Sequence, residues 1–158
     1  MAQGATSGQL AIRENLATLG DVVRVLGVAA ATEWNVLQIF RLEEAGAVTL
    51  STDAQDANRL RRETAQMIVT RCLDYKVAEL SLFFARFIAA EYDDATRDNF
   101  GAAKIYVALR AYDVARQADI RRVERSRETN AYLVQFDEMC ARACSFSEYK
   151  KKGEAVAT

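Results

Sequence analysis

The chain has 158 residues, of which 51% are apolar and 27% charged, with a net charge of −1. That is enough to bury one core, and it gives no overall field that would draw in a polyanion or a membrane surface. It contains no His and no Pro, which excludes Ser–His triads, His-ligated zinc or haem and His phosphorelays, and leaves no proline kink in any helix.

Glycines stand at 4, 8, 20, 27, 46, 101 and 153, and neither Gly nor Pro interrupts the stretches between 46 and 101 or between 101 and 153. A β-protein needs turn signals every 8–12 residues or so. Those signals are absent, and the helix formers Ala, Leu, Arg and Glu dominate. The expected fold is therefore an all-α bundle of four to five helices, two of them long.

In chain order, a first helix is expected from Gln9 to Leu19, stopped by Gly20. Asp21 then caps a second helix over 22–45, which Gly46 closes. The stretch "AVTLSTDAQD" reads as a loop, with Ser51, Thr52 or Asp53 as the next N-cap. A third helix follows over about 54–92, and "DDATRDN" is a polar break. The fourth covers about 97–147. Unbroken, it would measure about 75 Å at the α-helical rise, against a radius of gyration of about 15 Å for a compact domain of this size. Either the helix breaks near 125–131 ("RSRETNA"), the favoured reading, or the chain is elongated and meets partners along its length. Residues 1–149 then form a single helical domain and 150–158 a flexible tail.

The N-terminus lacks the charged and apolar regions of a signal peptide. No apolar run reaches about 18 residues without a charge; the 77–90 stretch comes closest, and Glu79 and Arg86 interrupt it. The three cysteines, Cys72, Cys140 and Cys144, are too few for a disulfide framework. These features predict no membrane association and a cytoplasmic location, or a particle assembled there.

Arg86 stands in the apolar run "AELSLFFARFIAAEY". An unpaired buried charge is costly, so it needs a partner. Glu79, seven residues back, is the candidate on its own helix, with Glu33, Asp113 or Asp137 as candidates on others, and Arg86 and Glu79 are read as a buried or interfacial ion pair. The competing reading is an arginine that receives a phosphate.

Sixteen of the 21 basic residues are Arg, the side chain that forks onto phosphate and stacks on bases. Two clusters are candidates for nucleic-acid contact, RNA before DNA: Arg59, Arg61 and Arg62, and then Arg121, Arg122, Arg125 and Arg127, with Arg116 just before them. Asp119, Glu124 and Glu128 lie at i,i+3 and i,i+4 spacings, so a salt-bridged solvent face is the competing reading.

Cys140 and Cys144 in "CARAC" share one side of a helix. A metal site needs four ligands, only Cys72 remains, and the pair reads as core. Di-iron bundles need Glu-x-x-His pairs, and "EYDDATRDNF" lacks the alternation and Gly of a calcium loop. No metal and no cofactor is expected. Gly27, Ala30 and Ala31 form a small-residue face suited to close helix packing, with Trp34 beside it as a core anchor.

The third helix is apolar nearly all round from 77 to 90, and such a helix is buried on every side. It either sits centrally or gives one face to another copy of the chain, and the second is expected, through Phe83, Phe84, Phe87 and Ile88. The functional expectation is a non-enzymatic structural protein that self-associates by helix packing, such as a coat, nucleocapsid or ribonucleoprotein subunit with arginine contacts to nucleic acid. The alternatives are a regulatory or adaptor bundle that binds another protein, and a small-ligand-binding bundle. A cleft that holds Cys72 or Glu79 with a displaced pKa would mark the last of these.

Overall fold

A computed structural model describes the backbone of residues 6–156 and the side chains of residues 6–142. The fold is all-α. The elements are α1 (Ser7–Ala11), α2 (Leu19–Glu44), α3 (Ala54–Arg71), α4 (Val77–Ile88), α5 (Asp93–Thr96) and α6 (Gly101–Val156). The chain divides into two compact units, Met1–Ile120 and Arg121–Thr158. No helix among the described residues is long and apolar enough to cross a membrane.

In the first unit the helices start and stop where local chemistry directs. Thr18, not Asp21, caps α2: the Thr18 hydroxyl accepts from Asp21 N at 3.0 Å and the Asp21 carboxylate accepts from Thr18 N at 2.9 Å, a reciprocal capping box. Asp53 caps α3 by accepting from Asp56 N at 2.8 Å. Gly46 follows the end of α2 with φ +69°, a left-handed position suited to a residue without Cβ.

The first helix is shorter than expected and ends before Gly20. Gly20 instead lies in the first turn of α2, where its N–H donates to Leu73 O at 2.8 Å. A Cβ there would come 3.0 Å from the same carbonyl oxygen. This glycine serves a close backbone approach rather than a helix stop.

The single helix expected over 54–92 is two helices. Cys72 closes α3, and residues 73–77 bond across the chain: Leu19 N donates to Tyr75 O at 2.8 Å and Val77 N to Ala17 O at 3.0 Å. Glu79 then caps α4 by accepting from Lys76 N at 2.8 Å. The break is thus held by tertiary hydrogen bonds and needs neither Gly nor Pro. In contrast, the break expected at 125–131 is not present. Helical backbone runs through it, and Thr129 Oγ1 donates to Arg125 O at 2.9 Å. No residue there stops a helix, and the chain forms two compact units, where the size limit for a single domain does not apply.

Gly27 also departs from expectation. With φ +87° it kinks α2, and an added Cβ would meet nothing within 4 Å, so it is no packing contact. Ala31 is buried, and Trp34 packs on the core with its ring edge-on to Phe84 at 6.1 Å.

The core of this unit joins α2, α3, α4 and the first turns of α6. Ile39, Leu42, Ile68, Leu80, Phe83, Phe84, Ile105 and Tyr112 are its large members. Phe83 sits at the centre, 5.2–6.0 Å from the rings of Phe84, Phe87, Tyr92 and Tyr112. α4 is not buried on every side: Ser81, Ala85 and Ile88 face solvent. Phe83, Phe84 and Phe87 are buried within the unit, so they offer nothing to a second copy. Of the four expected association residues only Ile88 is exposed.

Candidate functional site

Glu79 and Arg116 form the buried ion pair of the first unit. Arg116 Nε donates to Glu79 Oε1 at 2.7 Å, while Glu79 Oε2 holds the α4 N-cap. Tyr112 Oη donates to the Glu79 carbonyl at 3.2 Å. Arg116 also stacks on the Tyr75 ring at 4.2 Å and reaches Asp74 at 3.8 Å. Burial pulls the Arg116 pKa down, but the Glu79 hydrogen bond and the surrounding negative charge raise it overall. Both carboxylate oxygens are satisfied, so this pair fastens α4 to α6.

Glu79 therefore does not pair with Arg86. Arg86 Nε meets Glu91 Oε2 at 3.5 Å, with Arg86 partly buried. Both residues lie in α4, but the Glu79 carboxylate is taken by Arg116 and by the α4 N-cap. Arg86 also acts on Tyr92, whose hydroxyl burial pushes up and Arg86 pulls back.

A cleft of about 400 Å³ opens between the end of α3 and the early turns of α6, lined by Arg71, Cys72, Tyr75, Tyr106, Arg110 and Asp113 together with Leu109. Arg71 lies over the Tyr106 ring at 4.9 Å. Tyr75 Oη donates to Asp113 Oδ1 at 2.5 Å, and burial and this bond push the Tyr75 pKa well up. Burial, with Asp74 and Asp113 nearby, pushes the Cys72 thiol up to about 12. It stays protonated, so it is neither a nucleophile nor a thiolate ligand at neutral pH.

The two arginine clusters differ. In α3 the charges are already matched. Arg59 meets Asp56 and Glu63, each at 3.1 Å; Arg61 meets Glu43 at 2.7 Å and stacks on Phe40 at 5.2 Å; Arg62 meets Glu33 at 3.2 Å. In α6, Arg121, Arg122, Arg125 and Arg127 are all exposed. Among the described residues none of the four has a carboxylate partner within the 4.0 Å of an ion pair. Asp119 instead accepts from Ser7 Oγ at 2.9 Å. At 100° per residue Arg121, Arg122 and Arg125 share a face, and Arg127 lies opposite.

That face continues into an apolar one. Tyr132, Phe136 and Met139 recur at a 4–3 spacing, with Leu133 and Cys140 beside them. They are exposed, Tyr132 by 65%, Phe136 by 50% and Met139 by 66%, and the Tyr132 and Phe136 rings stack at 6.4 Å. Cys140 was expected as core; it is exposed. The side chain of Cys144, and those of the tail expected at 150–158, lie outside the described residues. The 4–3 spacing was legible in the sequence. Its exposure was not, because an apolar helix face reads the same whether its partner is intramolecular or not.

No protein-family model, no curated protein and no solved structure matches this chain.

Proposed function

We propose that the protein is a structural assembly subunit that pairs with copies of itself through residues 132–140 and contacts nucleic acid through Arg121, Arg122 and Arg125. The observation that carries this reading is the exposed seam of Tyr132, Phe136 and Met139. Two-stranded helix packing uses such a spacing, and a helix cannot bury its own apolar face. The occupant is a second copy, because an identical segment offers the same exposed 4–3 apolar face, and a two-fold pair of such faces is an isologous contact in which each copy covers the other. Repetition in an assembly then makes many weak phosphate contacts additive.

The test is the solution mass of the full chain by size exclusion with light scattering, with the 260/280 nm ratio read across the peak. A dimer or larger species that becomes a monomer in Phe136→Glu/Met139→Glu is expected. A wild-type monomer across the micromolar range would overturn self-association. For the nucleic-acid arm, Arg121→Gln/Arg122→Gln/Arg125→Gln is expected to lose RNA binding with its fold intact; unchanged binding removes that assignment.

A second reading, the adaptor bundle, has its own observation. Val22, Leu26, Ala30, Trp34 and Val77 line an apolar groove of about 350 Å³ beside the Gly27 kink, and Val25 and Val28 stand exposed next to it. This reading leads if the chain is monomeric.

A further inference from the structure

We propose that the cleft between α3 and α6 binds a phosphate group through Arg71 and Arg110. The first unit contains eleven arginines. Arg24, Arg59, Arg61, Arg62, Arg86, Arg97 and Arg116 meet carboxylates. Among the described residues Arg13, Arg41, Arg71 and Arg110 do not, and only Arg71 and Arg110 line one cleft.

The carboxylates near them are engaged elsewhere. Asp113, the one carboxylate lining the cleft, accepts from Tyr75 Oη, and Asp74 faces Arg116. Two guanidinium groups against one carboxylate leave the cleft net positive. Arg71 lies over the Tyr106 ring at 4.9 Å and meets no carboxylate among the described residues, so its N–H groups can reach two phosphate oxygens. The volume of about 400 Å³ exceeds that of a bare phosphate. Tyr106 and Leu109 give an aromatic and apolar wall to whatever the phosphate is attached to.

The phosphate has two sources, a small phosphomonoester or the backbone of a nucleic-acid strand. This site shares no residue with Arg121–Arg127, so its test stands apart from the assembly reading.

The experiment is an NMR titration of the arginine Nε–H signals of the full chain with inorganic phosphate. Two signals, assigned through Arg71→Gln and Arg110→Gln, are expected to shift saturably. Each variant is expected to bind phosphate about tenfold or more weakly, with its thermal midpoint unchanged because both side chains are exposed. No saturable shift at tens of millimolar phosphate, or shifts that persist in the double variant, would overturn the proposal. A second arm adds single-stranded oligouridylate to the Arg121→Gln/Arg122→Gln/Arg125→Gln variant. Displacement of phosphate at Arg71 and Arg110 identifies the strand as the source, and saturable phosphate binding without displacement identifies a small phosphomonoester.

Discussion

The Arg116 guanidinium lies 2.7 Å from a Glu79 carboxylate that has no exposed surface. Removing one partner leaves the other charged and unmatched in the core, at a cost of about 3–5 kcal/mol. Arg116→Met and Glu79→Met are each expected to lose stability on that scale in urea unfolding. The double variant is expected to recover most of the loss, since neither charge then remains buried. Two single losses that simply add would show that the pair is not a unit.

The Cys72 thiol, held near 12, predicts poor reactivity. At pH 8 its thiolate fraction is about a thousandfold below that of an ordinary cysteine. In a Cys140→Ser/Cys144→Ser variant, the remaining thiol is expected to resist aromatic disulfide reagents until the chain unfolds. The sign for stability follows from the raised value. The folded state holds its proton where the unfolded state has released it, so this contribution falls away as the pH rises from about 9 towards 12.

Asp21 titrates in the opposite sense. Hydrogen bonds from the Thr18 N–H and hydroxyl, helped by Arg24 and Lys76, hold its pKa below 3.8 despite some desolvation. Its stabilisation of α2 is complete above the unfolded value and is lost as the pH falls through the lower folded one. Asp21→Asn is expected to lower the thermal midpoint at pH 7, with the gap to wild type closing below about pH 3.8. A gap that persists undiminished at pH 2 would place the effect elsewhere.

Gly8 marks where α1 meets α6. A Cβ at this position would come 2.6 Å from the Asp119 backbone carbon, a contact that backbone cannot relieve cheaply. Gly8→Ala is expected to cost about 1–3 kcal/mol by overpacking and to break the Ser7–Asp119 hydrogen bond. Chemical denaturation measures the cost, and a change under about 0.5 kcal/mol would mean that α1 is free to shift.

Fold class was legible because it rests on composition and on the spacing of Gly and Pro, and the Asp53 cap and Gly46 stop were legible as local signals. The division at 73–77 was hidden because its cause is non-local: the backbone of Ala17, Leu19 and Gly20 captures that loop from about 55 residues away in sequence. Glu79 was read as a partner for Arg86 because the two share one helix, and its true partner, Arg116, lies 37 residues on in another helix. Arg61 and Arg62 of α3 looked free for the same reason, since Glu43 and Glu33 approach them from α2. Residues cluster visibly in sequence only when their contacts are short-range, and the cleft around Arg71 and Arg110 draws on two segments that share no motif.

The exposed face at Tyr132, Phe136 and Met139 also bears on how the second unit folds. A single helix in water is only marginally stable, and its gain from burial arrives only with a partner. If copies pair through this face as proposed, ordering of the segment is coupled to association and its helical content becomes a function of concentration. Far-ultraviolet circular dichroism would deepen as the protein is concentrated, and amide exchange over 121–142 would slow with it, while the first unit would show neither change. Dilution would act on this half of the chain as a mild denaturant.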